Sequence, residues 1–135
     1  MARPMRWEPA LAVGVQAFDE AHRELVGRAA ALIAAVEDPD AQLRVRDVMD
    51  DLVECAVAHF DEEERTLQQL DWPGLHAHLH AHDRLLRTLL KFKSDLRYGR
   101  LSVEDAAEFI TDWVCSHIQR EDMQYRTYLA ERGVH

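Results

Sequence analysis

Histidine is the residue type that says most about this 135-residue chain, which contains eight of them. An imidazole ring can bind a metal ion, transfer protons or satisfy a polar position in a core. His78 and His82 are four residues apart, and so are His59 and Glu63. Side chains at positions i and i+4 share one face of a helix, so each pair could bind a common ion.

Another i, i+4 pair, His76 and His80, interleaves with His78 and His82. Because successive helical residues turn by about 100°, the two pairs lie about 200° apart. Leucines share the face of His78 and His82, whereas Asp83 and two arginines continue the face of His76 and His80. We therefore predict that His78 and His82 point into the protein and that the other pair faces water.

Three further histidines, His22, His59 and His117, align with apolar residues at helical spacing. A single buried histidine is more often structural than a metal ligand. Burying five imidazoles and a carboxylate without partners would cost several kcal/mol in total, whereas one shared cation centre would satisfy them together. The sequence therefore predicts a metal site.

A second carboxylate follows His117, and the spacing leaves its identity open. Glu121 lies four residues after His117, which favours it as a partner on the same helical face. Asp122 lies five residues after His117 but falls on an apolar stripe with Ile118 and Tyr125. If Asp122 is the inward residue, we expect a local distortion of the helix such as a π-bulge.

Four segments with a 3.6-residue apolar period must position these side chains. The first spans about residues 19–37, the third about 75–98, and the fourth runs from Ser102 to about Leu129. The second begins near Asp40, a predicted N-cap, and ends at the helix-breaking sequence Trp72-Pro73-Gly74.

This pattern predicts an all-α protein, an up-down-up-down antiparallel four-helix bundle over residues 18–130. Residues 1–17 contain two prolines and a glycine and lack a helical period, so we expect an extended N-terminal arm. The length favours a single domain over residues 1–135.

Charge and composition narrow the possible partners. Sixteen basic against 25 acidic residues give a formal net charge of −9, which argues against nucleic acid or an anionic membrane as the main partner. Two cysteines cannot form a disulfide framework, and no apolar leader or membrane-spanning stretch occurs. We expect a cytoplasmic monomer that does not insert into membranes.

Taken together, the motifs resemble the hemerythrin family, most closely the single-domain bacterial hemerythrins, over nearly the whole chain. The matching pieces are Trp7, Leu11-Ala-Val-Gly14, Phe18-Asp-Glu-Ala-His22, His59-Phe-Asp-Glu-Glu63, Pro73-(x4)-His78-(x3)-His82 and Trp113-(x3)-His117-Ile-(x3)-Asp122. Any one of them alone is a weak signal, whereas the set is highly specific.

The resemblance implies a non-haem di-iron centre that binds O2 reversibly, and it selects Asp122 over Glu121. The implied metal ligands are His22, His59, Glu63, His78, His82, His117 and Asp122. The two Fe ions would be bridged by Glu63, Asp122 and a solvent-derived oxo or hydroxo group, with one coordination position left open. The implied O2 pocket consists of Leu25, Phe60, Trp113 and Ile118.

The predicted function is oxygen carriage, storage or local supply rather than catalysis. One alternative is a sensor of O2, NO, iron or redox state that signals through a partner. Another is a di-iron oxidase or peroxidase-like enzyme, although such bundles favour carboxylate-rich sites with inward Glu-x-x-His motifs. Apart from Glu63, we expect the acidic run Asp61–Glu64 to be a solvated helix face, and we expect Tyr125 to serve helix packing.

Overall fold

The computed structural model describes residue 7, residues 9–100 and residues 103–135, and it is helical throughout most of them. The helices are α1 (Gln16–Glu37), α2 (Val45–Gln69), α3 (Leu75–Arg97), α4 (Val103–Arg120) and a short α5 (Arg126–Glu131). Helix α1 packs against α2 and α4, and α2 packs against α3. No strand occurs among the described residues, so the predicted all-α antiparallel four-helix bundle is confirmed.

The N-terminal arm is fastened to the start of α1 by one carboxylate. Helix α1 begins at Gln16, three residues earlier than predicted. The backbone N–H groups of Val13 and Gly14 donate to the two oxygens of Asp19, at 2.7 and 3.3 Å. Gly14 has φ +84°, a conformation that glycine adopts without strain. Residues 13 and 14 of the arm are therefore held against the start of α1.

The start of the second helix differs from the prediction. Pro39–Arg44 form a 3-10 helix and α2 begins only at Val45, so Asp40 is not its N-cap. The N–H of Asp40 donates instead to the Asp38 carboxylate at 2.9 Å, which closes a local turn. The predicted start of the fourth helix at Ser102 lies outside the described residues.

The fourth helix is interrupted where the sequence predicted a distortion. Helix α4 ends at Arg120, Asp122–Tyr125 form a 3-10 turn, and α5 follows. The expected distortion is therefore present, but it is a 3-10 interruption rather than a π-bulge. None of the described helices combines the length and apolar character needed to cross a bilayer.

The core consists of two apolar clusters. The larger contains Leu25, Phe60, Leu89, Trp113 and Ile118 among others. The smaller contains Phe18, Leu67, Trp72, Tyr125 and Leu129 together with Val13 and Val15 of the arm. The buried polar or charged side chains of the described residues are His22, His59, Glu63, His78, His82, His117 and Asp122. These polar side chains come from all four main helices and the turn after α4, so a polar layer crosses the bundle.

We expect Asp19→Ala to reduce the free energy of unfolding by about 1–3 kcal/mol, because two backbone donors lose a charged acceptor. Urea denaturation measures this loss, and hydrogen exchange should accelerate at the amides of Val13 and Gly14. Glu20→Ala is the matched control, since Glu20 is exposed and its carboxylate pairs only with Gln16 in the described part of the chain. Equal losses in the two variants would contradict the fastening role of Asp19.

Candidate metal centre

Helices α1 and α2 contribute three groups to the polar layer. His59 and Glu63 lie one turn apart on α2, and Nε2 of His59 is 3.2 Å from Oε2 of Glu63. Nε2 of His22, on α1, lies 3.5 Å from the same oxygen. The side chains of Glu63 and His22 have no exposed surface, so protein groups surround the Glu63 carboxylate.

Helix α3 sends one histidine pair inward and the other outward. His78 and His82 are buried, whereas His76 and His80 are exposed, as the helical wheel predicted. Nε2 of His78 contacts Oε1 of Glu63, and Nε2 of His82 lies 3.3 Å from that oxygen. The inward pair therefore meets the carboxylate that α2 presents.

The interruption after α4 brings Asp122 into the same layer. Its Oδ1 lies 3.1 Å from Nε2 of His117 and 3.2 Å from Nε2 of His78, and its Oδ2 lies 3.0 Å from Nε2 of His22. In an unbroken α-helix, residues five apart would be separated by about 140° around the axis. Regular α-helical geometry ends between the two residues, at Arg120, and both side chains are buried in the core. Glu121 remains half-buried and outside the cluster.

The seven groups form two overlapping sets whose potential ligand atoms lie within 4.8 Å of one another. One set is Glu63, His78, His82, His117 and Asp122, and the other is His22, His59, Glu63 and Asp122. The two carboxylates belong to both sets. Each of the two sets has the residue types to hold a metal ion.

Many polar atoms in this layer are buried without a hydrogen-bond partner. Toward the interior of the cluster they include Nε2 of His22, His59, His82 and His117 and both carboxylate oxygens of Asp122, and Nδ1 of His22, His59, His78 and His117 is unpartnered as well. The Nε2 and carboxylate atoms lie within 3.0–3.5 Å of an opposing nitrogen or oxygen, but the directions do not suit hydrogen bonds. Leaving such atoms unpaired is costly, and a cation between them would satisfy them. Imidazole and carboxylate donors suit iron, zinc or manganese, so the residues fit a metal centre.

Electrostatics in the metal-free layer favour ionised carboxylates. Burial alone would raise the pKa of Glu63, but contacts with the surrounding imidazoles hold it well below its usual range. Burial would also raise the pKa of Asp122, but contacts with His117 and His22 outweigh it and hold that pKa below its usual value. Burial lowers the pKa of His22 and His78, but both carboxylates outweigh it and raise each pKa to about 9. In the metal-free layer, protons on His22 and His78 thus supply positive charge that a bound cation would otherwise supply.

Two residues around the layer have contacts that the sequence did not predict. The hydroxyl of Tyr125 donates to Oε2 of Glu63 at 2.9 Å, so this side chain does more than pack helices. Glu64 was expected on a solvated face, but its carboxylate lies 2.8 Å from Nδ1 of His82. Each contact joins two different elements of the bundle, so the spacing of residues along one helix does not predict it. The apolar stripe that includes Tyr125 was the one available hint.

The residues of the predicted oxygen pocket are all buried in the larger apolar cluster. Phe60 stacks on His82 with ring centroids 4.0 Å apart and lies edge-on to His117 at 5.6 Å. Trp113 lies beside Phe60, and its indole N–H donates to the carbonyl of Leu85 at 2.9 Å. Leu25 follows His22 by one turn, and Ile118 follows His117 directly. An apolar wall therefore covers one side of the polar layer.

A four-helix bundle with a buried histidine and carboxylate layer defines a class of metal-binding bundle proteins. Residues 13–129 match the family described as "Hemerythrin HHE cation binding domain". The chain therefore belongs to the hemerythrin family.

Individual relatives match over most of their length. The chain is 28% identical over 127 residues to a "Hemerythrin-like protein" of Naegleria gruberi, covering 93% of this chain and 94% of that one. It is 28% identical over 134 residues to a "Bacteriohemerythrin" of Ralstonia nicotianae, covering 96% and 91%. A crystal structure of wild-type hemerythrin superposes with a TM-score of 0.83 at 24% identity, covering 95% and 99%, and supports the fold.

We expect the metal-free protein to lose stability as the pH rises from 6.5 to about 9. The folded-state pKa values of His22 and His78, about 9, lie above the ordinary value of 6.5. Their contribution is therefore complete below pH 6.5 and is lost as the pH rises through about 9. Urea midpoints of chelator-treated protein across this range measure the effect. A midpoint that stays level or rises would contradict the assignment.

Proposed function

We propose that this protein binds O2 reversibly at a non-haem di-iron centre, for carriage, storage or local supply. The ligands would be His22, His59, Glu63, His78, His82, His117 and Asp122. The observation that carries the proposal is that two ligand sets share both carboxylates while buried donor atoms around them lack partners. When bound, two ferrous ions would supply the electrons and the open coordination position that reversible O2 binding requires.

The protein's own contribution begins with the orientation of the ligands. Glu64 holds Nδ1 of His82 at 2.8 Å, which leaves Nε2 of that ring directed into the cluster. Phe60 stacks against the same ring and limits its rotation. Tyr125 donates to one oxygen of Glu63, so the direction of this bridging carboxylate is also fixed. Such outer contacts set the tautomer and orientation of metal-binding side chains.

The apolar wall supplies the second contribution, the exclusion of water and protons. The four side chains of the wall are each less than a tenth exposed: Leu25, Phe60, Trp113 and Ile118. None of them has a buried polar atom without a hydrogen-bond partner. Dry surroundings slow the entry of protons. Protons that reached the centre would promote its autoxidation. The side chains thereby favour reversible binding of O2 over its release as peroxide.

The ligand set favours binding over oxidation of an added substrate. The candidate centre has five imidazoles and two carboxylates, whereas di-iron enzymes of bundle type use carboxylate-rich sets with Glu-x-x-His motifs. No inward Glu-x-x-His motif contributes to the cluster among the described residues. We therefore assign the centre to O2 binding.

Metal analysis combined with an anaerobic-to-air optical titration tests the proposal. We expect two irons per chain and a charge-transfer band that appears in air and disappears when O2 is removed. His82→Ala should lose iron, because it removes one of the buried donors. His135→Ala is the matched control, since His135 is an exposed histidine that belongs to neither ligand set. Irreversible bleaching with turnover of an added reductant would support an enzyme instead.

We expect Ile118→Thr to shorten the lifetime of the oxygenated protein, because a hydroxyl introduces a polar group into the buried wall beside His117. Stopped-flow or conventional spectroscopy of the charge-transfer band measures the autoxidation rate. Ile118→Val keeps the surface apolar and is the matched control. Equal lifetimes in Ile118→Thr and the parent protein would remove Ile118 from the pocket.

A further inference from the structure

The outward histidine pair of α3 has a geometry of its own. His76 and His80 lie one turn apart, both exposed, with their Nε2 atoms 3.3 Å apart. Their ring centroids are 4.7 Å apart and the ring planes are perpendicular. Among the described residues, the hydrogen bond and the ring contact that these two rings make are with each other. Neither interaction ties the pair to another part of the bundle.

The separation of the two nitrogens suits a shared metal ion. Zinc–imidazole bonds of about 2.0–2.1 Å at a tetrahedral angle place two ligand nitrogens about 3.3–3.4 Å apart. The Nε2 atoms of His76 and His80 are already at that separation. Because both residues lie in the first two turns of α3, the helix sets the spacing of their backbones before an ion arrives. Little conformational entropy is then lost on binding.

We propose that His76 and His80 form a second, surface metal site for a divalent ion of the zinc and copper class. Imidazole donors favour these ions over Mg²⁺ and Ca²⁺. The formal net charge of −9 favours the approach of cations. Asp83 continues the same face, but its carboxylate pairs with Arg87 at 3.0 Å, so the site has two protein ligands. Its other coordination positions are open to water or to a donor from outside the chain.

This site is independent of the buried cluster. His78 and His82 lie about 200° around the helix from His76 and His80 and belong to the two-ion layer. Substitution of the exposed pair therefore leaves every candidate ligand of the buried centre in place. The proposal stands whether the buried layer holds iron for O2 binding or serves another purpose.

Zinc titration by isothermal calorimetry tests the surface site in protein whose buried centre has first been saturated with metal. We expect one additional Zn²⁺ per chain in the parent protein. The event should be lost in His76→Gln and in His80→Gln, and kept in His135→Gln, which removes an exposed histidine outside the helix. Glutamine is a good helix former, so these exposed substitutions preserve α3.

A second measurement identifies the groups that bind. Long-range ¹H–¹⁵N spectra of the histidine rings should show zinc-dependent shifts at His76 and His80, with the signal of His135 unchanged. The difference between the parent and variant titrations counts the surface site whatever metal fills the buried one. A zinc event that persists in the His76→Gln/His80→Gln double variant, or zinc-dependent shifts confined to other histidines, would overturn the proposal.

Discussion

Two carboxylates with no exposed surface, Glu63 and Asp122, set the constraint on which the rest of this bundle depends. Isolated buried charges are very costly, and two of the same sign repel each other. Only positive charge placed between and around them makes the folded state favourable. In the metal-free protein, protonated imidazoles provide that charge, since the pKa of His22 and of His78 is about 9. Metal ions would provide it more completely, because they would also satisfy the unpartnered Nε2 atoms.

The helices can be understood as supports for this polar layer. Apolar clusters lie on both sides of it and isolate it from water. The interruption between Arg120 and Asp122 gives up regular helical geometry so that one more carboxylate reaches the core. The arm residues Val13 and Val15 complete the smaller cluster, and Asp19 holds the arm in that position. The elements at the ends of the bundle therefore contribute to the environment of the centre as much as its four long helices do.

Helix α3 shows how one sequence pattern can serve two surfaces. Histidine occurs at every second position from His76 to His82, an alternation that would place all four rings on one face of a strand. The helix separates them instead into an inward pair and an outward pair. The inward pair joins groups from three other segments, whereas the hydrogen bond of the outward pair is, among the described residues, between its own two rings. The same i, i+4 spacing thus gives a shared buried cluster on one side and an isolated two-ligand surface site on the other.

The sequence by itself determined the helical class, the inward direction of His78 and His82, and the burial of His22, His59, Glu63 and His117. These features follow from the period of the helix, which is a local property of the chain. Spacing alone did not decide between Glu121 and Asp122, and it misplaced Glu64 on a solvated face. The family resemblance selected Asp122. The contact of Glu64 was decided only by the tertiary structure, because contacts between helices depend on how the helices are rotated and where their regular geometry stops. Neither quantity is encoded in the spacing within a single segment.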